Sequence, residues 1–192
     1  MTTTWLVTRV YFDKPVMQPD VDQLGRNQNQ VVLSFIKPHK ESIDRSRVTT
    51  WHFFREQEGT PENPGRPYLL MRICGERDYL CNSLKPALEN DLRGSHGRYG
   101  VIDHEVNEEP NYTEEGGYGK DGWPIAQKVF EYTAEASLLL LDYRSRNAAL
   151  PNDFSEDKLV HCFLNQSHWG YDKEIDFYVK RLRDLGVNVE TR

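Results

Sequence analysis

Two arginines and one histidine stand out as residues whose types and spacing could do chemistry. Arg55 closes the run VTTWHFFR (Val48–Arg55), and Arg72 sits near the end of YLLMRIC (Tyr68–Cys74). Arginine is rarely buried unpaired, so one inside each of two apolar, aromatic-rich runs is unusual. If the runs form a hairpin, the two guanidinium groups can face the same side and grip a carboxylate or another oxyanion through paired N–H donors. The alternative is two solvated arginines, or arginines paired with nearby acids. His161 and Asn165 stand four apart in LVHCFLN, the spacing that places two residues on one helix face. His168 extends that face if the helix continues. A histidine among apolar residues is either a satisfied core residue or, beside an anion site, an acid or base. The loop GGYGKDG (Gly116–Gly122) concentrates glycines, which permit large backbone changes over a substrate.

Common catalytic signatures are missing. The sequence contains no GxxxxGK[ST] or GxGxxG phosphate cradle, no GxSxG nucleophile elbow and no HExxH. Cys74, Cys81 and Cys162 are an odd number without CxxC spacing, which argues against a disulfide framework and a cysteine zinc site and for reduced, mostly buried thiols. His161 and His168 lack a neighbouring carboxylate ligand pattern, so no metal site is expected. The charge balance is 24 basic against 30 acidic residues, net −6. Phosphate contacts need a basic surface, so nucleic acid is not an expected partner. No run approaches the roughly 20 apolar residues of a membrane helix. The N-terminus lacks a basic stretch followed by an apolar core, and the chain is expected in the cytoplasm.

These residues need a scaffold. The 192 residues, 38% of them hydrophobic with 8 Phe, 10 Tyr and 4 Trp, suffice for one domain spanning 1–192 with a core of its own. Trp5–Phe12, Val48–Arg55, Tyr68–Cys74 and Tyr99–Val106 read as strands from their β-branched and aromatic content. Glu58–Pro67 holds three prolines and two glycines and reads as a turn or loop, making the second and third strands an antiparallel pair. Met17–Asn29 reads as a loop or short helix, and Val31–Ile36 as a strand or short helix. Asp78–Leu92 has helical apolar spacing, with Pro86 predicting a kink or a late start. Glu108–Pro124 reads as a long loop. Ile125–Arg144 carries the longest helical pattern. Ser155 is the expected N-cap of a last helix running through Leu159, Phe163 and Leu164 toward Leu182. The order argues for an α+β fold, a mostly antiparallel sheet with helices packed on it.

Several segments, in order, resemble the C-terminal elimination-type domain of lantibiotic dehydratases and the related stand-alone thiopeptide biosynthesis enzymes. WHFFRE (Trp51–Glu56) looks like the family's W-F-F-I-R-Y, and PYLLMR (Pro67–Arg72) like the strand bearing H-L-R-L-R. YTEEGGYG (Tyr112–Gly119) is similar to Y-x-P-E-x-x-R-Y-G-G, and HCFLN (His161–Asn165) to H-x-x-x-N. The resemblance spans roughly residues 5 to 182. It implies that Arg72, His161 and Tyr118 are catalytic, that Glu114 contacts substrate and that no cofactor is needed; Arg55 and Asn165, from their own types and spacing, are expected to contact substrate as well. The implied substrate is a modified precursor peptide containing dehydroamino acids, and the implied chemistry is elimination or cycloaddition-type ring closure, with a dehydratase subunit as a second partner. Alternatives are a non-catalytic peptide-binding subunit, or a cyclase acting on a polyketide or non-ribosomal substrate. This chain departs from the family's pattern at Tyr68, Leu70 and Gly117. They stand where the family has a histidine and two arginines, which removes cations that would stabilise a departing carboxylate.

Overall fold

The computed structural model describes residues 2–14, 18–60, 63–147, 179–180 and 183. Contacts divide the chain into two compact units, Met1–Asp142 and Tyr143–Arg192. The described part of the first unit is α+β, as the strand and helix patterns predict. Strands β1 (Thr3–Phe12), β2 (Val48–Thr60), β3 (Asn63–Glu76) and β4 (Val101–Glu108) form one antiparallel sheet in the order β2-β3-β1-β4. Helical residues lie in α1 (Gln18–Val31), α2 (Lys37–Ser42), α3 (Arg77–Tyr79), α4 (Lys85–Ser95), α5 (Glu115–Tyr118) and α6 (Gly122–Arg146).

Alternation along the strands separates two apolar faces. On the first, Leu6, Val10, Trp51, Phe53, Leu69, Met71 and Ile73 meet Val32, Phe35, Ile36, Leu80, Leu84, Leu88 and Leu92. On the second, Trp5, Val7, Leu70 and Cys74 meet Trp123 and Ala126 of α6. Each large side chain fully buried this way is worth about 1.5–3 kcal/mol. Helix α6 contributes to both: Ala126 joins the second-face cluster, while Ala134 and Leu138 join the first. It passes from one face to the other around the β2 edge. There the Trp51 indole donates to Glu135 Oε1 at 3.1 Å, and Thr50 Oγ1 donates to Glu131 Oε2 at 3.2 Å.

The two regions of uncertain helical reading share one solution. Gln18–Ser42 is helical throughout, so neither the loop nor the strand alternative holds for Met17–Asn29 or Val31–Ile36 from Gln18 onward; Val32–Ile36 is a π-turn. The helix from Arg77 likewise has a π-turn at Leu80–Leu84. Both π-turns run directly into Lys-Pro, Lys37–Pro38 and Lys85–Pro86. The Lys37 N–H reaches back five residues to Val32 O, and the Lys85 N–H to Leu80 O. A helical proline has no N–H and collides with the carbonyl four residues earlier. Here that carbonyl belongs to Ser34 or Asn82, inside the widened turn, so the helix continues without a late start.

The predicted hairpin is present, but its strands run well beyond the predicted runs. Most of Glu58–Pro67 lies in the ladder, which reaches Thr60↔Asn63. Pro64 and Pro67 are tolerated because β1 pairs with β3 only as far as Tyr68, leaving the outer side of β3 without a neighbouring strand there. A register shift falls between Gln57↔Pro67 and Gly59↔Pro64, so Gly65 and Arg66 oppose Glu58. A Cβ at Gly65 would lie 2.7 Å from Glu58 Cβ, so this bulge needs glycine. Gly65→Ala is expected to lower stability by about 1–3 kcal/mol in urea unfolding, with no loss of secondary structure in the folded baseline.

Candidate functional site

The bulge decides where the arginines point. Beyond it, β2 and β3 pair as Arg55↔Leu69, Phe54↔Leu70 and His52↔Arg72. Residues 55 and 69 therefore share the first face, and 52 and 72 share the second. The expected two-arginine clamp does not form. Arg55 donates to Gln28 Oε1 at 3.3 Å and to Asn29 Oδ1 of α1. Without the one-residue shift, the Thr60↔Asn63 register carried along the hairpin would have paired Arg55 with Tyr68, whose parity matches Arg72, and both arginines would have shared a face.

Arg72 instead meets the segment before α5. Its Nη1 donates to Glu114 Oε1 at 3.3 Å, and its guanidinium lies 4.2 Å from the Tyr112 ring centroid. The Tyr112 hydroxyl donates to the same Glu114 oxygen. Burial, reinforced by that hydrogen bond, raises the Tyr112 phenol well above its ordinary range. Tyr112 packs edge-on against Trp5 and Trp123, with centroids 5.1 and 6.0 Å away. Trp123 stacks on Tyr118 at 6.1 Å, and Phe130 touches both Trp123 and Tyr118. Trp123 is 6% exposed and Tyr118 48%, so Tyr118 forms the rim of this aromatic group. The structure thus gathers Arg72, Glu114 and Tyr118 into one assembly on the second face. His161 and Asn165 lie outside the described residues.

The Glu108–Pro124 segment is less loop-like than its glycines suggest. Glu115–Tyr118 forms a helical turn, and α6 begins at Gly122, ahead of the predicted Ile125. Trp123 explains the earlier start, because its burial draws the first turn of α6 onto the sheet. Among the glycines here only Gly119 has positive φ, at 73°, and it links the two helices.

His52 is the site residue that the strand pattern alone did not single out. It is fully buried opposite Arg72, ringed by Trp5, Phe54 and Phe130 at 5.8, 5.0 and 5.3 Å. Neither ring nitrogen has a hydrogen-bond partner, and Arg72 Nε lacks one too. Burial first, and the Arg72 charge second, push the His52 pKa down to about 3. The imidazole is therefore neutral near pH 7. The available signal in the sequence was register: once Arg72 is placed, its direct cross-strand neighbour is its closest strand partner.

Chemically, the assembly is a charge-matched arginine–carboxylate pair walled by aromatic rings, with a neutral imidazole beneath and the Tyr118 phenol at the rim. Leu70, two residues before Arg72 on the same face, is 1% exposed and belongs to the apolar cluster. Among the described residues no cluster of three or more His, Cys, Asp and Glu side chains is arranged to hold a metal ion, and no helix is long and apolar enough to cross a membrane. Cys74 and Cys81 are free thiols, and burial raises the Cys74 pKa to about 11.

No protein-family profile matches the sequence, and neither does any curated protein. Among solved structures, the chain is similar to the crystal structure of the tRNA-dependent lantibiotic dehydratase MibB from Microbispora sp. 107891. The TM-score is 0.57 and the identity 19%, over 79% of this chain and 13% of that one. The likeness is one of fold, to a lantibiotic dehydratase-like architecture, and covers a small fraction of the larger protein's length.

The neutral His52 links stability to pH. The unfolded chain binds the proton near pH 6.5 and the folded chain near 3, so this contribution is full above 6.5 and declines as pH falls toward 3. Wild type should lose about 2–3 kcal/mol more than His52→Phe between pH 7.5 and 4.5 in urea titrations. Equal losses in the two proteins would contradict a neutral buried imidazole.

Proposed function

We propose that this chain is a biosynthetic enzyme of a ribosomally synthesised, post-translationally modified peptide pathway, closing a ring on a precursor peptide that bears dehydroamino acids. One observation carries the choice of chemistry: the single arginine of the assembly, Arg72, is matched by Glu114, and Leu70 adds an apolar wall beside it. A departing glutamate needs unmatched cations. An uncharged, planar, unsaturated substrate suits aromatic walls with a few oriented polar groups. Cycloaddition-type ring closure is therefore favoured over glutamyl elimination. The fold likeness to a lantibiotic dehydratase supports the peptide substrate class.

Ring closure of this type joins an alkene to a diene: three π bonds become two σ bonds and one π bond, no atom leaves and there is no net redox change; of two dehydroalanines, one is the alkene and the other, with its acylating amide shifted to the imidic-acid tautomer, is the 2-azadiene. The protein's task is to hold two segments of a flexible peptide in contact, and positioning of this kind supplies much of the rate. In this reading Arg72 donates to a substrate carbonyl oxygen, and the rim hydroxyl of Tyr118 donates a second hydrogen bond. His161, assigned on the family resemblance, exchanges a proton with the substrate. Arg55 faces away from Arg72 and has no part in it.

A second reading rests on the same ion pair. Glu114 and the Tyr112 ring already engage the Arg72 guanidinium, an arrangement that also suits a non-catalytic subunit that binds the peptide for a partner dehydratase.

Incubation of the purified chain with a synthetic peptide carrying two dehydroalanines separates the readings by mass spectrometry. Ring closure conserves mass and is read after treatment with a thiol, which adds to remaining dehydroalanines but not to the closed ring; elimination from a glutamylated peptide loses glutamate. Arg72→Ala is expected to lower kcat/KM about 10²-fold, Tyr118→Phe by a smaller factor, and His161→Ala to abolish turnover. Tight peptide binding without turnover in wild type selects the non-catalytic reading.

A further inference from the structure

Arg55 is a cation that the fold leaves without a carboxylate. On the adjoining stretch of α6, Glu131 and Glu135 are already engaged by Arg45, Lys40 and Lys128. Among the described residues Arg55 is bonded only to the neutral side chains of Gln28, through Nη1, and Asn29, through Nη2. A guanidinium carries five N–H donors in a planar fork, so Nε and the second hydrogen of each Nη remain. Gln28 is itself buried, which fixes the fork in place. Arg55 stays open to solvent, yet enough of it is covered that burial lowers its pKa. Beside it is a cavity. Phe53, Phe54 and Arg55 of β2 and Thr133, Ala134 and Ser137 of α6 line a space of about 260 Å³. Phe53 and Ala134 are buried and Phe54 partly so, which makes one side apolar. Thr133 and Ser137 stand one turn apart on one helix face. The Thr133 hydroxyl donates to carbonyls of its own helix, whereas the Ser137 hydroxyl has no partner among the described residues and is a spare donor.

We propose that this cavity binds a carboxylate borne on an apolar or aromatic group, gripped by Arg55 and Ser137 with its hydrocarbon body against Phe53, Phe54 and Ala134. The free fork of Arg55 matches the two oxygens of a carboxylate. One guanidinium and one hydroxyl balance a single negative charge; a phosphate dianion would leave one charge uncompensated. The volume falls just below the range of drug-sized pockets, which suits a body the size of an amino-acid side chain. A free acid and the C-terminal residue of a peptide present this same chemistry. Arg55 projects from the face opposite Arg72, so the site uses a different cation from the Arg72 assembly and is tested without peptide turnover.

Isothermal titration of the full chain with phenylacetate reads the site. Saturable one-to-one binding is expected, with a Kd of about 1 mM or tighter. Arg55→Gln should weaken it about tenfold or more. Arg55→Lys, which keeps the charge but not the fork, should weaken it by a smaller factor. Ser137→Phe fills the cavity with Arg55 still present and should abolish binding, with unchanged far-UV circular dichroism. Arg26→Gln removes the same charge from an exposed arginine of α1 that also lacks a carboxylate and should leave binding intact. A tripeptide ending in phenylalanine distinguishes the sources: tighter binding than phenylacetate identifies a peptide C-terminus, weaker binding a free acid, and either order supports the carboxylate site. No saturation up to about 10 mM, undiminished binding by Arg55→Gln or Ser137→Phe, or equal affinity for phenylacetamide or inorganic phosphate overturns the proposal.

Discussion

The register of the β2–β3 ladder governs the chemistry this domain can offer. Side chains alternate across a sheet with period two, so a shift of one residue exchanges the faces of every residue beyond it. The bulge at Gly65–Arg66 introduces that shift within a few residues of the hairpin end. It sends Trp51 and Phe53 into the larger core and His52 and Phe54 to the other side, opposite Arg72 and Leu70. It also keeps Arg55 away from Arg72. The bulge depends in turn on a glycine at 65, because the backbones of the two strands approach too closely there for a side chain.

Helix α6 then holds the two faces together. Sheet edges are unpaired rows of backbone groups that proteins cover or disrupt, and here the edge strand β2 is crossed by a helix whose two halves pack on opposite sides of the sheet. The crossing is tied by carboxylates. Glu135 accepts from the Trp51 indole, from Arg45 at 2.7 Å and from Lys40 at 2.5 Å, while Glu131 accepts from Thr50, Arg45 and Lys128. These partners come from the chain around α2, from β2 and from α6 itself. A helix constrained in this way delivers Trp123 and Phe130 to the second face, where they wall the Arg72 assembly.

Charge pairing around Arg72 sets the character of that assembly. An arginine with its guanidinium over a tyrosine ring and its N–H groups on a carboxylate is stabilised in place, and it presents little net positive charge. The neighbouring imidazole is kept neutral by burial, so it adds no second cation. What remains is a largely buried group of aromatic rings around a paired arginine and carboxylate, with Tyr118 at its exposed rim.

The sequence by itself determined the class of fold and the identity of most elements. The β-branched and aromatic runs at Trp5–Phe12, Val48–Arg55 and Tyr68–Cys74 read as strands, and the turn chemistry between the last two made them neighbours. The helical spacing at Asp78–Leu92 was equally plain, since burial of Leu80, Leu84, Leu88 and Leu92 requires it. The motif order also brought Arg72, Glu114 and Tyr118 under consideration together. Tertiary structure alone decided which side each residue faces. That depends on a bulge whose position is set by close contact between strands, not by composition. It also decided the neutrality of His52, which follows from burial under Phe130, a residue 78 positions further along, on the part of α6 that packs on the second face before the helix crosses the sheet edge. The two π-turns belong in the same category: proline announced a local conflict, and only the packing of flanking residues on the sheet made a widened turn cheaper than ending the helix.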